Sequence, residues 1–325
     1  MGQSMGQSMG QGAGQGVGQG VGTPARGLAA FYDTPWLLLV VTALFWGGNA
    51  IAGQLARDAI QPLFLVIMRW AVVAGVLWAL FGHEVRAHWH IARPRMLQIV
   101  LIATTGFTGF NALFYMASLS TTAVNVGILQ GSMPVFVLLG AVVLMGERVA
   151  TVQAIGVVLT LGGVVLVATG GDPAAVLAEG LNPGDGLMLI ACVMYSAYTL
   201  ALRARPAMPG RAFFTLMAVI ATLTAVPFWL AEVALAGFEA PSVQGYLVAA
   251  YVAIFPSCLA QLFFLRGVDL IGPAKAGVYI NLVPVFAALL AVALLGEPFR
   301  WYHAAAMGLV LGGIWLAQRP SRAAG

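Results

Sequence analysis

The chain has 325 residues, 61% of them hydrophobic and only 8% charged, with a mean hydropathy of +0.93. A water-soluble domain carries roughly 25% charged residues to clothe its exterior, so this composition calls for lipid as solvent. The formal charge of +4 does not mark a nucleic-acid face, because no Lys/Arg run occurs and Lys275 is the single lysine.

Residues 1–22 are a Gly/Gln-rich tract without a basic or apolar leader segment, and the tail 1–33 is expected to be disordered. Ten apolar stretches follow, at 34–56, 62–82, 96–118, 122–145, 151–169, 185–204, 211–232, 243–266, 272–295 and 301–318. Each approaches the roughly 20 residues that a helix needs to cross the hydrocarbon core. The short tail 319–325 closes the chain. Cys192 and Cys258 lie inside apolar stretches and read as small buried hydrophobes rather than a disulfide or metal framework. The expected fold is all-α and membrane-embedded.

Basic residues set the expected topology. With the N-terminus in the cytoplasm, 12 of the 15 basic residues fall inside, Arg57 and Arg300 fall outside, and Arg69 falls within the second span. That bias places both termini in the cytoplasm of a cell inner membrane. Sliding the sequence by 150 positions aligns Gly127–Ala168 with Gly277–Gln318, with 16 identities in 42 positions. Pro134-Val135-Phe136 then meets Pro284-Val285-Phe286, and Gly146-Glu147 meets Gly296-Glu297. The chain is thus expected to hold two five-helix repeats, 34–169 and 185–318. An odd number of spans inserts the second upside-down relative to the first, as in secondary transporters with a midplane site.

NALFYMA (Asn111–Ala117), GILQGSMPVF…GER (Gly127–Arg148), QLFFLRGVDLIGPAKAG (Gln261–Gly277) and NLVPVF…LLGEP (Asn281–Pro298) resemble the EamA family of the drug/metabolite transporter superfamily. The resemblance covers about residues 36–318 and is nearest to the YddG-like amino-acid exporters. It implies ten helices, a central cavity between the halves, and export or exchange of amino acids or other small metabolites.

Pro134 and Pro284 sit mid-span at matching places, where each should kink its helix and free the carbonyl four residues earlier, at Gln130 and Ile280. Either they serve packing alone or they open the backbone onto a cavity. Asn125, Gln130, Ser132, Tyr279 and Asn281 surround the kinks, as interhelical ties or as substrate contacts. Trp46 and Asn49 share one helix face, as do Tyr195 and Tyr198. Their rings suit the side chain of an apolar or aromatic amino acid, with Trp70, Trp78 and Tyr115 extending the wall. Arg69 is the one basic residue well inside a span; it binds or gates, or it is structural and snorkels outward. The substrate-contact set is therefore Trp46, Asn49, Arg69, Gln130, Tyr195, Tyr198, Tyr279 and Asn281. Gly127/Gly131 and Gly308/Gly312 have the spacing of close helix contacts within the bundle, or of a dimer face.

No carboxylate falls at midplane depth, so proton coupling does not follow from the sequence, and facilitated movement is equally compatible. His83, His88 and His90 share an expected connector, where a solvated basic loop is a simpler reading than a metal tract. No metal or cofactor is expected, and no hydrolase or metalloenzyme motif occurs in a span, which leaves little room for an enzyme. The expected activity is secondary, ATP-independent export of amino acids with aromatic or apolar side chains by alternating access. The alternative is a multidrug exporter of lipophilic or cationic compounds. The partners expected are a small-molecule substrate and the bilayer, and a monomer suffices.

Overall fold

The computed structural model describes residues 31–147, 149–172 and 182–318. The low-complexity tract read as disordered lies outside them. Residues 31–33, assigned to that tail, are held instead: Phe31 packs edge-on against Phe263, and Asp33 pairs with Arg266 at 2.7 Å.

Among the described residues there is no strand. Nine helices among the described residues are long and apolar enough to cross a membrane: α1 Pro35–Ala56, α2 Pro62–Ala87, α3 Trp89–Ser118, α4 Ala123–Met145, α5 Thr151–Ala168, α6 Pro183–Ala204, α7 Gly210–Ala236, α8 Val243–Ile271 and α9 Lys275–Leu295. A shorter apolar helix, α10, spans Trp301–Ala317. Proline stands in the first turn of α1, α2 and α6, where its missing N–H costs nothing. Glycines in the left-handed conformation end α4 and α9, Gly146 at φ 68° and Gly296 at φ 65°.

Two boundaries differ from the sequence expectation. The connector foreseen between α2 and α3 shrinks to His88 alone, because α2 runs on to Ala87 and α3 begins at Trp89. His83 and His90 therefore sit on helices. Val85 and Ala92 are buried in these extensions, so each keeps an apolar face, while Arg86, Arg93 and Arg95 are exposed.

α2 packs along α7 and α5 along α10, while α1 lies between α8 and α9, and α6 between α3 and α4. The α5–α10 seam is the tightest. A Cβ at Gly156, Gly163 or Gly313 would strike backbone of the facing helix, so only glycine permits that approach. Gly127 fits against Ala287, and Gly131 against Val310 and Pro284. Gly308 and Gly312 do not make bundle contacts, since nothing lies within 4 Å of a Cβ at either. The spacing was right, but the face of α10 that packs is the one bearing Gly313.

α4 and α9 each consist of two pieces rather than one kinked helix. The break falls after Gln130 in α4, and at a 3-10 turn, Ile280–Leu282, in α9. Pro134 and Pro284 stand in the first turn of the second piece, the place where a helix tolerates proline. The Ile280 carbonyl, expected to be free, accepts from the Val283 N–H in the tighter turn. A turn of π-helix interrupts α3 at Thr104–Gly109 and α8 at Ala253–Leu259, again about 150 residues apart.

Gly313→Val should destabilise the bundle by about 1–3 kcal/mol through overpacking against backbone. Gly312→Val should leave stability unchanged. Thermal unfolding of the two variants in the same detergent checks this; equal melting temperatures would contradict the assigned packing face.

Candidate transport cavity

The breaks in α4 and α9 and the π-turns in α3 and α8 surround a central cavity of about 380 Å³. Of the ten residues singled out from the sequence, Trp46, Asn49, Arg69, Gln130, Pro134, Tyr195, Asn281 and Pro284 line it. Tyr198 does not: it is buried behind the wall, over Gly106 and beside Phe107. Tyr279 does not either, and is half-buried on the other side of the first piece of α9. Asn125 turns away toward Asp185, and the Ser132 hydroxyl donates back to the Leu129 carbonyl at 2.6 Å. Trp78 is exposed on the outside of α2.

Arg69 is buried, with 6% of its surface exposed, and it does not snorkel. Three helices hold its guanidinium. Nε donates to the Ser257 hydroxyl at 2.5 Å, and Nη1 to the Tyr115 oxygen at 2.6 Å and to Asn49 Oδ1 at 3.1 Å. The Tyr115 hydroxyl donates in turn to Asn49 Oδ1 at 3.0 Å. Among the described residues no carboxylate pairs with Arg69. Ser257 is in place because Pro256 cannot bond the Val252 carbonyl. The Ser257 hydroxyl takes that carbonyl instead, at 2.5 Å, and turns its lone pairs to Arg69. The Pro256 carbonyl accepts from Trp46 Nε1 at 3.0 Å. The π-turn in α8 thus positions both a cavity aromatic and the arginine.

Aromatic rings form much of the remaining wall, beginning with Trp70, whose ring centre is 5.4 Å from the Arg69 guanidinium carbon. Trp70 stacks on Phe107 with ring centres 4.3 Å apart and planes 1° from parallel. Phe110 meets Tyr195 at 5.0 Å, and Trp46 meets Phe264 at 5.4 Å. Three buried polar atoms of the lining have no hydrogen-bond partner among the described residues: Trp70 Nε1, Asn111 Oδ1 and Asn281 Oδ1. Phe107, Phe110, Asn111, Ser257 and Gln261 are lining residues that the sequence expectation missed. For two of them there was a signal, since the 150-residue shift pairs Asn111 with Gln261.

The two ends of the bundle differ. At one end the turns at 57–61, 119–122, 237–242 and 296–300 are tied together. Glu297 accepts from the Ala123 and Val124 amides at 2.9 and 3.0 Å, capping α4. Glu232 accepts from the Leu63 and Phe64 amides at 3.3 Å each, capping α2. Arg57 Nη2 donates to the carbonyls of Ser118 and Thr121, at 2.6 and 3.1 Å. At the other end Glu147 meets Arg203 at 2.6 Å, both half-exposed, and Glu84 meets Arg211 at 3.0 Å. There Met133–Met145 leans on α6, and the cavity lining runs on to Thr199, Gly277 and Gln318. The cavity therefore approaches the Glu147 end and stops short of the Glu297 end. Among the described residues no cluster of three His, Cys, Asp or Glu could hold a metal ion.

A multi-pass helical membrane protein with a partly polar cavity at its centre is the architecture of a transporter. The EamA-like transporter family model matches residues 34–169 and 182–318, and the chain belongs to that family. It is 24% identical to "Uncharacterized transporter YetK" of Bacillus subtilis over 83% of this chain and 82% of that protein. It is 22% identical to "Uncharacterized transporter YyaM" of the same organism, over 87% of this chain and 92% of that one. With "Uncharacterized inner membrane transporter YedA" of Escherichia coli K12 it shares 21% identity over 82% and 85% of the two chains. A solved crystal structure superposes with a TM-score of 0.59 at 20% identity, covering 87% of this chain and 96% of the other, which shows the shared fold.

Glu297→Ala removes the cap of α4 and should weaken the sealed end by about 1–2 kcal/mol. A cysteine placed at Val124 should then react faster with a polar maleimide in the Glu297→Ala background than with Glu297 intact. Unchanged labelling rates would show that the carboxylate does not hold that end closed.

Proposed function

We propose that this protein is a secondary exporter of small carboxylate-bearing metabolites, foremost amino acids with aromatic or apolar side chains. The observation that carries this is Arg69, a buried guanidinium at the cavity wall whose partners are all neutral. An arginine side chain does not discharge in proteins, and a buried charge without a counter-ion is costly. A substrate carboxylate relieves that cost, and the neighbouring unpartnered Trp70 N–H adds a second donor. The aromatic wall of Trp46, Trp70, Phe110 and Tyr195 suits an apolar or aromatic side chain. The resemblance to YddG-like amino-acid exporters points the same way. A lipophilic cation is the poorer fit, because the lining holds a fixed positive charge and no carboxylate.

Alternating access follows from ten spans arranged as two inverted five-helix repeats, 34–169 and 185–318. Supporting this are the recurrences about 150 residues apart: helix breaks at Pro134 and Pro284, π-turns in α3 and α8, and left-handed Gly146 and Gly296. The bias of basic residues puts the Glu147 end and both termini in the cytoplasm. The cavity then faces the side from which an exporter loads. Labelling single cysteines at positions 147 and 297 from the outside of intact cells should mark only the second; equal reaction at both would remove the inverted arrangement.

Proteoliposomes loaded with labelled phenylalanine, methionine or threonine test the substrate class beside a cationic dye. Wild-type protein should move phenylalanine and not the dye. Arg69→Met should lower phenylalanine flux at least about 100-fold, the scale of a lost buried charge-assisted contact, while still reaching the membrane folded. Dye flux without amino-acid flux would favour the multidrug alternative.

A further inference from the structure

We infer that Asn111 forms an acceptor subsite in the cavity that reads a protonated amine on the substrate. This rests on the carboxylate reading of Arg69 and extends it to the other end of the same molecule.

Asn111 lies on α3 immediately after the π-turn and is 2% exposed. Its Nδ2 donates to the Phe107 carbonyl at 2.6 Å. That bond fixes the amide orientation, because the flipped amide would set oxygen against oxygen. Oδ1 is thereby committed to the opposite direction, where it is buried and finds no donor among the described residues. A buried acceptor left without a donor is costly, so the site is poised for one. Asn281 stands at the break in α9, where its partner is another side-chain amide and does not fix its orientation as the Phe107 carbonyl fixes that of Asn111. Asn281 Nδ2 donates to Gln318 Oε1 at 3.3 Å, and its own oxygen is buried and unpartnered. Both residues line the central cavity.

The cavity thus has two poles of opposite hydrogen-bonding sense. The donors belong to α2: Trp70 N–H, which has no acceptor among the described residues, and the Arg69 guanidinium, whose acceptors are all neutral. Acceptors without donors belong to α3 and α9. Tyr115, which holds Arg69, and Asn111 are four residues apart on one face of α3, a rise of about 6 Å. That offset suits an α-amino acid, whose carboxylate and ammonium are carried by the same carbon and whose two contacts make up the remaining distance. Neutral acceptors for the ammonium leave the lining without a fixed negative charge, so an amine lacking a carboxylate meets Arg69 unopposed and is refused. The side chain of a substrate held this way lies along the Trp70–Phe107 stack, one turn before Asn111.

The test is competition against labelled phenylalanine in counterflow, using phenylalanine, 3-phenylpropionate and phenethylamine as competitors. Wild-type protein should prefer phenylalanine over 3-phenylpropionate by about 10- to 100-fold, the worth of hydrogen bonds to a charged group. Asn111→Leu should abolish that preference while leaving the 3-phenylpropionate affinity in place, which also shows that the variant is folded. Asn111→Asp, which keeps an acceptor, should retain the preference. The proposal is overturned if wild-type protein does not distinguish phenylalanine from 3-phenylpropionate. It is equally overturned if Asn111→Leu weakens both alike, since Asn111 then only braces the Phe107 carbonyl. If phenethylamine competes and 3-phenylpropionate does not, the carboxylate reading fails while the amine subsite stands. If neither phenylalanine nor 3-phenylpropionate binds, both ideas fall together.

Discussion

Arg69 is the contact around which the cavity is organised. Its guanidinium draws Asn49 from α1, Tyr115 from α3 and Ser257 from α8 to one point on α2. These neutral dipoles solvate the charge without cancelling it. Full neutralisation by a protein carboxylate would have closed the site, because a buried ion pair has little left to offer a ligand. Leaving the charge solvated but unpaired keeps it available, and the surrounding helices are fixed by the same bonds that keep it so.

The bilayer explains why those bonds arise from irregular backbone. In hydrocarbon every amide must be satisfied within the protein, so broken helices survive only around a cavity or where side chains repair them. In α8 and α9 the repairs can be named. Ser257 takes the carbonyl orphaned by Pro256, Trp46 takes the carbonyl of Pro256 itself, and the 3-10 turn before Val283 takes that of Ile280. Elsewhere threonine and serine tie helices together across the bundle. Thr42 bridges α1 to the Ala260 carbonyl, Thr108 reaches the Ala221 carbonyl, and Ser196 reaches that of Met133. Trp46 is therefore hung on repaired backbone, which sets its angle more firmly than packing alone.

Much of the helical arrangement was legible because its causes are one-dimensional. Hydropathy gave the helices, and the duplicated Pro-Val-Phe and Gly-Glu blocks located both helix breaks. The polar α2–α3 stretch misled, since a hydropathy window registers the charges of Glu84, Arg86 and Arg93 and overlooks the thin apolar face of Val85 and Ala92. Cavity-lining residues beside a sequence landmark, such as Gln130, Pro134, Asn281 and Pro284, could be picked out from it. Tyr198 was misplaced because helical spacing puts it on one face with Tyr195 but does not say that Gly106 opens a slot to receive it. Phe107, Asn111 and Ser257 owe their positions to π-turns, and a single inserted residue per turn leaves no periodic trace in a sequence this apolar.

The capping of α4 by Glu297 has an energetic consequence for the cycle. Swinging the sealed end apart strands two amides and a carboxylate near the lipid boundary, whereas parting Glu147 from Arg203 at the other end releases two groups already half in water. On the alternating-access reading proposed above, opening the Glu297 end costs more than opening the Glu147 end, and a bound substrate has to offset that difference.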